Sequence, residues 1–109
     1  MTRVTIYKNE KNECVGFKAL GHAGYAEEGE DIICAAISIL TINTINAIET
    51  FTDVIATLAT NDESGMIEYI VDKPTKETSL LFDTMVLGLQ TMEDNENYAD
   101  YIDLLFEEV

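Results

Sequence analysis

The sequence predicts a single α/β (α+β) domain over residues 1–109, with two helices packed on a small sheet of about four strands. With 109 residues, 47% of them hydrophobic, the chain is long enough to bury one core, and its single proline and six glycines do not indicate disorder. Segments that alternate in polarity are interspersed with two long segments of helical spacing, which gives the element order β-β-α-β-α-β. No repeat or low-complexity linker divides the sequence.

Two strands are predicted at the start of the chain. The segment RVTIYK (3–8) alternates, with Val4 and Ile6 on the same face. The segment CVGFKALG (14–21) also has the composition of a strand, and the polar NEKNE between the two suits a hairpin loop.

A long helix is predicted from Asp31 to about Ala59, because the apolar spacing changes there to that of a helix. One stripe of this helix comprises Ile32, Ala36, Ile39, Asn43 and Asn46. Further isoleucines and alanines lie off the stripe, so we expect the helix to be covered on more than one side. The cover would be either the sheet together with the second helix, or a partner subunit.

Turn and periodicity signals predict the remaining elements. NDESG (61–65) predicts a turn and MIEYIV (66–71) a third strand. A second helix begins near Pro74, because proline favours the first helical turn. The apolar stripe of this helix comprises Leu81, Met85, Leu89 and Met92. The last segment, 98–109, fits either a helix or a strand, and we predict a fourth strand because its apolar residues alternate.

The charge of the chain restricts its partners. It carries 21 acidic residues against 6 basic ones, a net charge of −15. Such a surface repels nucleic-acid phosphates and anionic membranes, so we expect no direct nucleic-acid contact. A basic protein or peptide is the natural partner; the alternative is that the acidity only keeps the protein soluble.

The uncharged run 32–48 raises the question of a membrane span. It is interrupted by Ser38, Thr41, Asn43, Thr44 and Asn46. The run also falls short of the ~18 residues usually required, so we predict a buried helix and no membrane. Because MTRVTIYKNEKNE lacks the apolar segment of an export signal, we expect a cytoplasmic protein with reduced thiols. A disulfide between Cys14 and Cys34 is therefore disfavoured.

The segment GHAGYAEEGEDIICAAIS (21–38) carries the residues with chemical potential. It holds the only histidine, His22, and one of the two cysteines, Cys34. If Asp31 is the N-cap of the helix, Cys34 lies in the first turn, where the helix dipole favours a thiolate. The acidic residues of EEGED (27–31) oppose a second anion, so the thiol would need a cationic partner.

His22, at the end of a predicted strand, can be that partner. A thiolate paired with an imidazolium is a potent nucleophile at neutral pH, and the same imidazole can protonate a leaving amine. Backbone N–H groups near Cys34 and Ala35 would stabilise an oxyanion if they lie at the helix start. If the loop must open to admit a peptide, its hinges would be Gly21, Gly24 and Gly29.

Each of these residues also has a structural explanation. His22 can be an exposed residue at a strand end, Cys34 a small core residue, and Asp31 only a helix cap. Gly24 and Gly29 can be ordinary turn glycines. A zinc site is not predicted, because the sequence has no second histidine and no paired CxxC.

The same segment resembles the signature of the ribosomal-processing cysteine protease family, Prp. That signature joins Gly-His-Ala to Gly-x-Asp-x-x-Cys-Ala-Ala-x-Ser through a short loop. The matching positions here are Gly21, His22, Ala23, Gly29, Asp31, Cys34, Ala35, Ala36 and Ser38. The similarity continues through INTINAIE (42–49) and MVLGLQ (85–90), so it extends over essentially the whole chain.

The resemblance implies a cytoplasmic cysteine endopeptidase of bacteria. The family removes a short N-terminal extension from large-subunit ribosomal protein twenty-seven, a step needed for ribosome maturation. It also implies a homodimer without a cofactor, with Cys34 as nucleophile and His22 as general base. Asp31 and Ser38 match signature positions whose role would be to orient or support this pair.

Two other functions stay open at this level. The charge of −15 also suits a non-catalytic, acidic, dimeric module that binds a basic ribosomal protein. A thiol that senses redox state or a metal is a further alternative, which predicts a metal retained through purification. The rate at which an alkylating reagent modifies Cys34 separates the catalytic from the binding alternative, since only a catalytic thiol is activated.

Overall fold

The computed structural model describes residues 1–21 and 28–109, with side chains at all of these positions except 28–30. It confirms the α+β class and adds one strand to the predicted sheet. The elements are β1 (Thr2–Lys8), β2 (Cys14–Leu20), α1 (Glu28–Phe51), β3 (Ala56–Asn61), β4 (Met66–Val71), α2 (Lys76–Asp94), a 3₁₀ turn (Ala99–Tyr101) and β5 (Ile102–Glu108). The strands lie in the order β3-β4-β2-β1-β5, and all neighbours are antiparallel except the parallel pair β1–β5.

The hairpin predicted at the start of the chain is confirmed. Val4 and Ile6 lie opposite Ala19 and Phe17, and these inward-facing side chains are buried. The turn is shaped by Asn9, whose side-chain oxygen accepts the N–H groups of two residues further along the loop. Asparagine favours such turns because it bonds to the backbone of its own loop.

The first helix ends at Phe51, well before the predicted end near Ala59. Thr52 closes it, since its hydroxyl and its N–H both donate to the Ile48 carbonyl. The segment after it forms β3, which pairs with β4 in an unbroken antiparallel register. The prediction was wrong here because the hydrophobic spacing of a short β-branched segment can continue a helical pattern, whereas the pairing with β4 depends on residues further along the chain.

The exposed stripe of α1 is the one that we predicted to be covered. Ile32, Ile39, Asn43 and Asn46 are exposed. The packed face lies on the other side of the helix and comprises Ile33, Ile37, Thr41, Thr44, Ile45 and Ile48. One side of the helix therefore contacts the sheet and α2, and its other side leaves isoleucines in solvent.

By length and composition, residues 31–51 of α1 would be able to cross a membrane. The core helix of a soluble protein passes the same test. Ile33, Ile37 and Ile48 belong to the core. One face of the helix is therefore buried, as predicted.

The second helix starts with a capping box. Thr75 is the N-cap, and its side chain and that of Thr78 each bond the other residue's backbone N–H. Pro74 therefore lies one residue before the N-cap. The prediction that it lies in the first helical turn was wrong. The predicted stripe is confirmed, with Met85 and Leu89 buried. The final strand is confirmed as β5.

The centre of the core is formed by three aromatic rings, Phe17, Tyr69 and Phe82, whose centroids lie 6.4–6.5 Å apart. Each comes from a different element, so the cluster joins the sheet to α2. The Tyr69 hydroxyl donates to the Glu49 carboxylate at 2.9 Å and ties β4 to α1. Burial, and secondly this bond to a carboxylate, raise the pKa of Tyr69.

Candidate active site

A cleft of about 320 Å³ lies at the end of the sheet where β2 ends and β4 begins. Its walls are the N-terminal half of α1 and the turn between β3 and β4. Cys34 is half-exposed in this cleft, and Ser38 lies one helical turn further along the same wall. The fold thus places a free thiol in a concave, accessible site.

The end of β2 is held directly beside the sulfur. The Gly21 N–H donates to the Gly65 carbonyl at 3.3 Å, which fixes the strand end against the β3–β4 turn. A β-carbon built on Gly21 would lie 3.5 Å from the Cys34 Sγ. The residue that precedes His22 in the sequence therefore lies beside the thiol, close enough that an added methyl group would be in van der Waals contact with the sulfur.

The structure brings together part of the predicted set. Gly21, Cys34 and Ser38 share the cleft. Asp31 is exposed on α1 and, within the described chain, is not one of the residues that line the cleft. Gly29 is the second residue of α1, so it is not a loop hinge. His22 and Gly24 lie outside the described residues.

The predicted helix start was wrong. Because α1 begins at Glu28, Asp31 is its fourth residue and not its N-cap. Cys34 is its seventh residue, so the N–H groups of Cys34 and Ala35 lie in the helix interior, where each bonds the carbonyl four residues earlier. They are not free oxyanion donors, and the dipole acts more weakly beyond the first turn. Acidic residues at 28 and 30 suit a first helical turn, which explains the earlier start.

The second cysteine serves as an internal comparison. Cys14 is buried, and its Sγ bonds the Gly16 carbonyl at 3.5 Å. Burial raises the pKa of Cys14 to about 11, and the lowering effects of the Gly16 bond and of Lys8 are smaller. Cys14 is therefore protonated and inaccessible at neutral pH, whereas Cys34 faces the cleft.

The end of β3 and the turn after it supply cleft residues that the sequence analysis missed. Thr60, Asn61 and Asp62 form one lip of the cleft. The Asn61 side-chain oxygen accepts the N–H groups of Glu63 and Ser64, which defines the turn. The signal was the β-branched segment VIATLAT (54–60) directly before NDESG, which is typical of a hairpin strand.

A larger groove, of about 570 Å³, lies at the opposite end of α1. Its walls include Phe51, Ile55 and Asp72, and it holds neither cysteine. Size alone would favour this groove, but the accessible thiol of Cys34 lies in the smaller cleft, which makes the smaller cleft the candidate active site. Over the part of the chain with described side chains, no group of three or more histidine, cysteine or acidic residues has metal-binding geometry.

A solvent-accessible thiol in a cleft, beside the strand end that leads to the only histidine of the sequence, is the arrangement that a cysteine-dependent hydrolase requires. Comparison with known proteins agrees with that class. The sequence model of the family described as "Cysteine protease Prp" matches residues 1–103. The chain belongs to this family, and it is a cysteine peptidase.

Individual relatives support the same conclusion. The ribosomal processing cysteine protease Prp of Staphylococcus aureus (strain Mu50 / ATCC 700699) is 32% identical over 98 residues, which cover 89% of this chain and 92% of the relative. The S. aureus Prp structure in complex with a substrate peptide has 29% identity and a TM-score of 0.89, covering 98% of this chain and 100% of that one. A second S. aureus Prp structure, with a covalently linked product peptide, has 30% identity and a TM-score of 0.83 at the same coverage.

Proposed function

We propose that this protein is the bacterial endopeptidase that removes the N-terminal extension of large-subunit ribosomal protein twenty-seven, a step required for ribosome maturation. Cys34 is the nucleophile and His22 its general base. The observation that carries this proposal is the position of Gly21 beside the Cys34 Sγ. Because His22 is bonded directly to Gly21, that position supports an imidazole within reach of the thiol.

The reaction needs these two side chains and water. His22 takes the proton of Cys34, and the thiolate attacks the scissile carbonyl carbon. The imidazolium gives its proton to the leaving amine, the C–N bond breaks, and a thioester remains on Cys34. His22 then takes a proton from water, whose oxygen attacks the thioester carbon. The C–S bond breaks, the new carboxyl end is released, and the imidazolium returns its proton to the Cys34 sulfur.

The charge of the chain supports a basic substrate. With a net charge of −15, the protein attracts a cationic ribosomal-protein segment over several ångströms before contact. Asp62 places one of these carboxylates on the lip of the cleft. The proposal includes a cytoplasmic location, where Cys34 stays reduced.

The His22→Ala variant tests the proposed pair. We expect kcat/KM for a peptide that spans the processing site to fall by about 10²–10⁴-fold, since the imidazole acts both as base and as acid. The rate at which iodoacetamide modifies Cys34 at pH 7 should fall as well, because the thiolate loses its counter-ion. Unchanged values of both rates would rule out His22 as the partner of Cys34.

We also propose that the protein is a homodimer and that the exposed stripe of α1 lies in the interface. Ile32 and Ile39 of this stripe are 62% and 70% exposed, and the adjacent Ile42, which also lines the cleft, is 48% exposed. They lie on one side of the helix, opposite the packed face. A second copy of the chain would remove these apolar side chains from water.

The Ile39→Glu variant tests the interface. A two-fold axis would bring the new carboxylate into the contact twice, so we expect the dimer dissociation constant to rise at least about tenfold. The matched control is Leu105→Glu, which places the same charge at an exposed leucine of β5. Sedimentation velocity over a concentration series measures both. Equal dissociation constants for the two variants would exclude this face.

A further inference from the structure

Strand β3 leaves one of its edges open. In the described part of the chain it pairs only with β4, and it forms one border of the sheet. Five of its six residues are exposed. An open edge carries a row of unpaired backbone donors and acceptors, onto which another extended chain can add.

Two backbone hydrogen bonds show which groups point outward. The Asp72 N–H donates to the Ile55 carbonyl at 2.8 Å, one step beyond the last register pair of β3 and β4. The Gly21–Gly65 bond gives the same phase on the other side of β4. Hydrogen-bonded and non-hydrogen-bonded pairs alternate in an antiparallel ladder. The backbone N–H and C=O groups of every second residue of β3 therefore point away from β4. These residues are Ala56, Leu58 and Thr60.

The edge also lacks the features that normally prevent pairing. Native edge strands are protected by charged side chains, proline or bulges. Residues 56–61, ATLATN, include no charge and no proline, and their register with β4 has no shift. The opposite border of the sheet is different, since β5 carries Asp103, Glu107 and Glu108. In a chain with 25% charged residues, an uncharged edge strand stands out as available for pairing.

The edge connects two concave sites. Its end, at Thr60 and Asn61, lines the cleft that holds Cys34. Just before its start, Ile55 lines the groove of about 570 Å³. Six residues of extended chain span about 20 Å, so a bound peptide of similar length would reach from one site to the other.

The far groove has a defined chemical character. Phe51 and Ile55 are 74% and 75% exposed within it. The charged residues that line the groove are mostly acidic, with Asp53, Asp72 and Glu77 against Lys73. Such a site fits an apolar side chain flanked by positive charge.

We infer that the open edge of β3 binds an extended segment of the protein substrate by strand pairing, and that this segment runs from the Cys34 cleft to the Phe51–Ile55 groove. The inference rests on the proposed function and adds how a substrate is recognised. The occupant is a basic segment with an apolar residue about six positions from the scissile bond. Two observations favour the substrate over a second copy of the chain as the occupant. The edge leads directly into the cleft that holds Cys34, and the acidic residues around the edge would repel the same acidic residues on a second copy.

A backbone N-methyl scan of the substrate tests this without changing the protein. The probe is a peptide of about 15 residues that spans the processing site, methylated at one amide nitrogen at a time. Strand pairing predicts alternation: kcat/KM falls about tenfold at every second residue along one side of the scissile bond and changes less than about twofold at those between. A flat profile, or losses confined to the residues next to the scissile bond, would overturn the inference.

Variants of Leu58 test the same edge from the protein side. Leu58→Pro removes an outward N–H and leaves the bonds to β4, whereas Leu58→Ala removes the side chain and keeps the N–H. We expect kcat/KM for the long peptide to fall about fivefold to tenfold further in Leu58→Pro than in Leu58→Ala, with equal iodoacetamide rates at Cys34. Equal values of kcat/KM in the two variants would contradict strand pairing with the substrate. A dimer that is lost in Leu58→Pro but kept in Leu58→Ala would also contradict it, because the edge would then bind a second copy of the chain. If the unmodified peptide is not cleaved at all, the proposed function is itself wrong.

Discussion

Replacing Cys34 with alanine is expected to lower kcat/KM for the processing-site peptide by at least about 10³-fold, because no other group in the cleft can form the thioester. The side chain is half-exposed and its loss leaves little cavity, so the unfolding transition should stay close to that of the unchanged protein. Cleavage followed by mass spectrometry measures the first quantity, and urea unfolding the second.

Cys14→Ala is the matched control for that experiment. The Cys14 thiol lies in the core and faces no cleft, so its removal should cost about 1–2 kcal/mol of stability and leave kcat/KM unchanged. Iodoacetamide should likewise modify Cys34 and spare Cys14 in the native protein, since burial raises the pKa of Cys14 to about 11. Full activity in Cys34→Ala, or loss of activity in Cys14→Ala alone, would contradict the assignment of the nucleophile.

The second large effect is expected at Gly16, where β2 and β4 approach closely. A β-carbon on Gly16 would overlap the Tyr69 carbonyl oxygen and lie 2.9 Å from the Ile70 Cα. Both obstacles are backbone, so the pairing of the two strands would have to open. We expect Gly16→Ala to lower the free energy of unfolding by about 3 kcal/mol, measured by urea denaturation.

Gly88→Ala adds the same methyl group at a more tolerant position. There the new carbon would meet only the end of the Leu40 side chain, at 3.2 Å. The contact is relieved by a small side-chain movement, and alanine favours the helix over glycine by about 1 kcal/mol. The two effects oppose each other, so stability should stay within about 1 kcal/mol of the unchanged protein. A Gly16→Ala protein as stable as Gly88→Ala would show that β2 and β4 can separate at this point at little cost.

The sequence was most informative where local chemistry decides the structure. Alternation predicted β1, strand composition predicted β2, the turn at 61–65 predicted β4 after it, and the Leu81–Met92 stripe predicted α2, because each of these signals is local in the sequence. The strand at 56–61 was missed because its apolar residues continue the helical spacing of α1. Only the ladder to β4, a contact with residues further along the chain, makes it a strand.

The site shows the same division. Cys34 was identified from residue type and neighbourhood, and the structure places it in a cleft with Gly21 and Ser38. The lip formed by Thr60 and Asp62 depends on how the β3–β4 turn folds back over the sheet edge, which no local pattern in 21–38 encodes. Asp31 was misplaced because a capping residue favours a helix start without determining it, and α1 begins three residues earlier.

The single hydrogen bond from Gly21 to Gly65 has a consequence for inhibition. It connects the neighbour of the sulfur to the tip of a hairpin, and Gly65 has a backbone φ of 66°, a conformation that side-chain-bearing residues avoid. A compound that separates Gly65 from Gly21 at the end of β2 would change the surroundings of the thiol without contacting the thiol itself. Drugs against such an enzyme therefore need not be electrophiles, and a target for reversible ligands lies one residue away from the reactive centre.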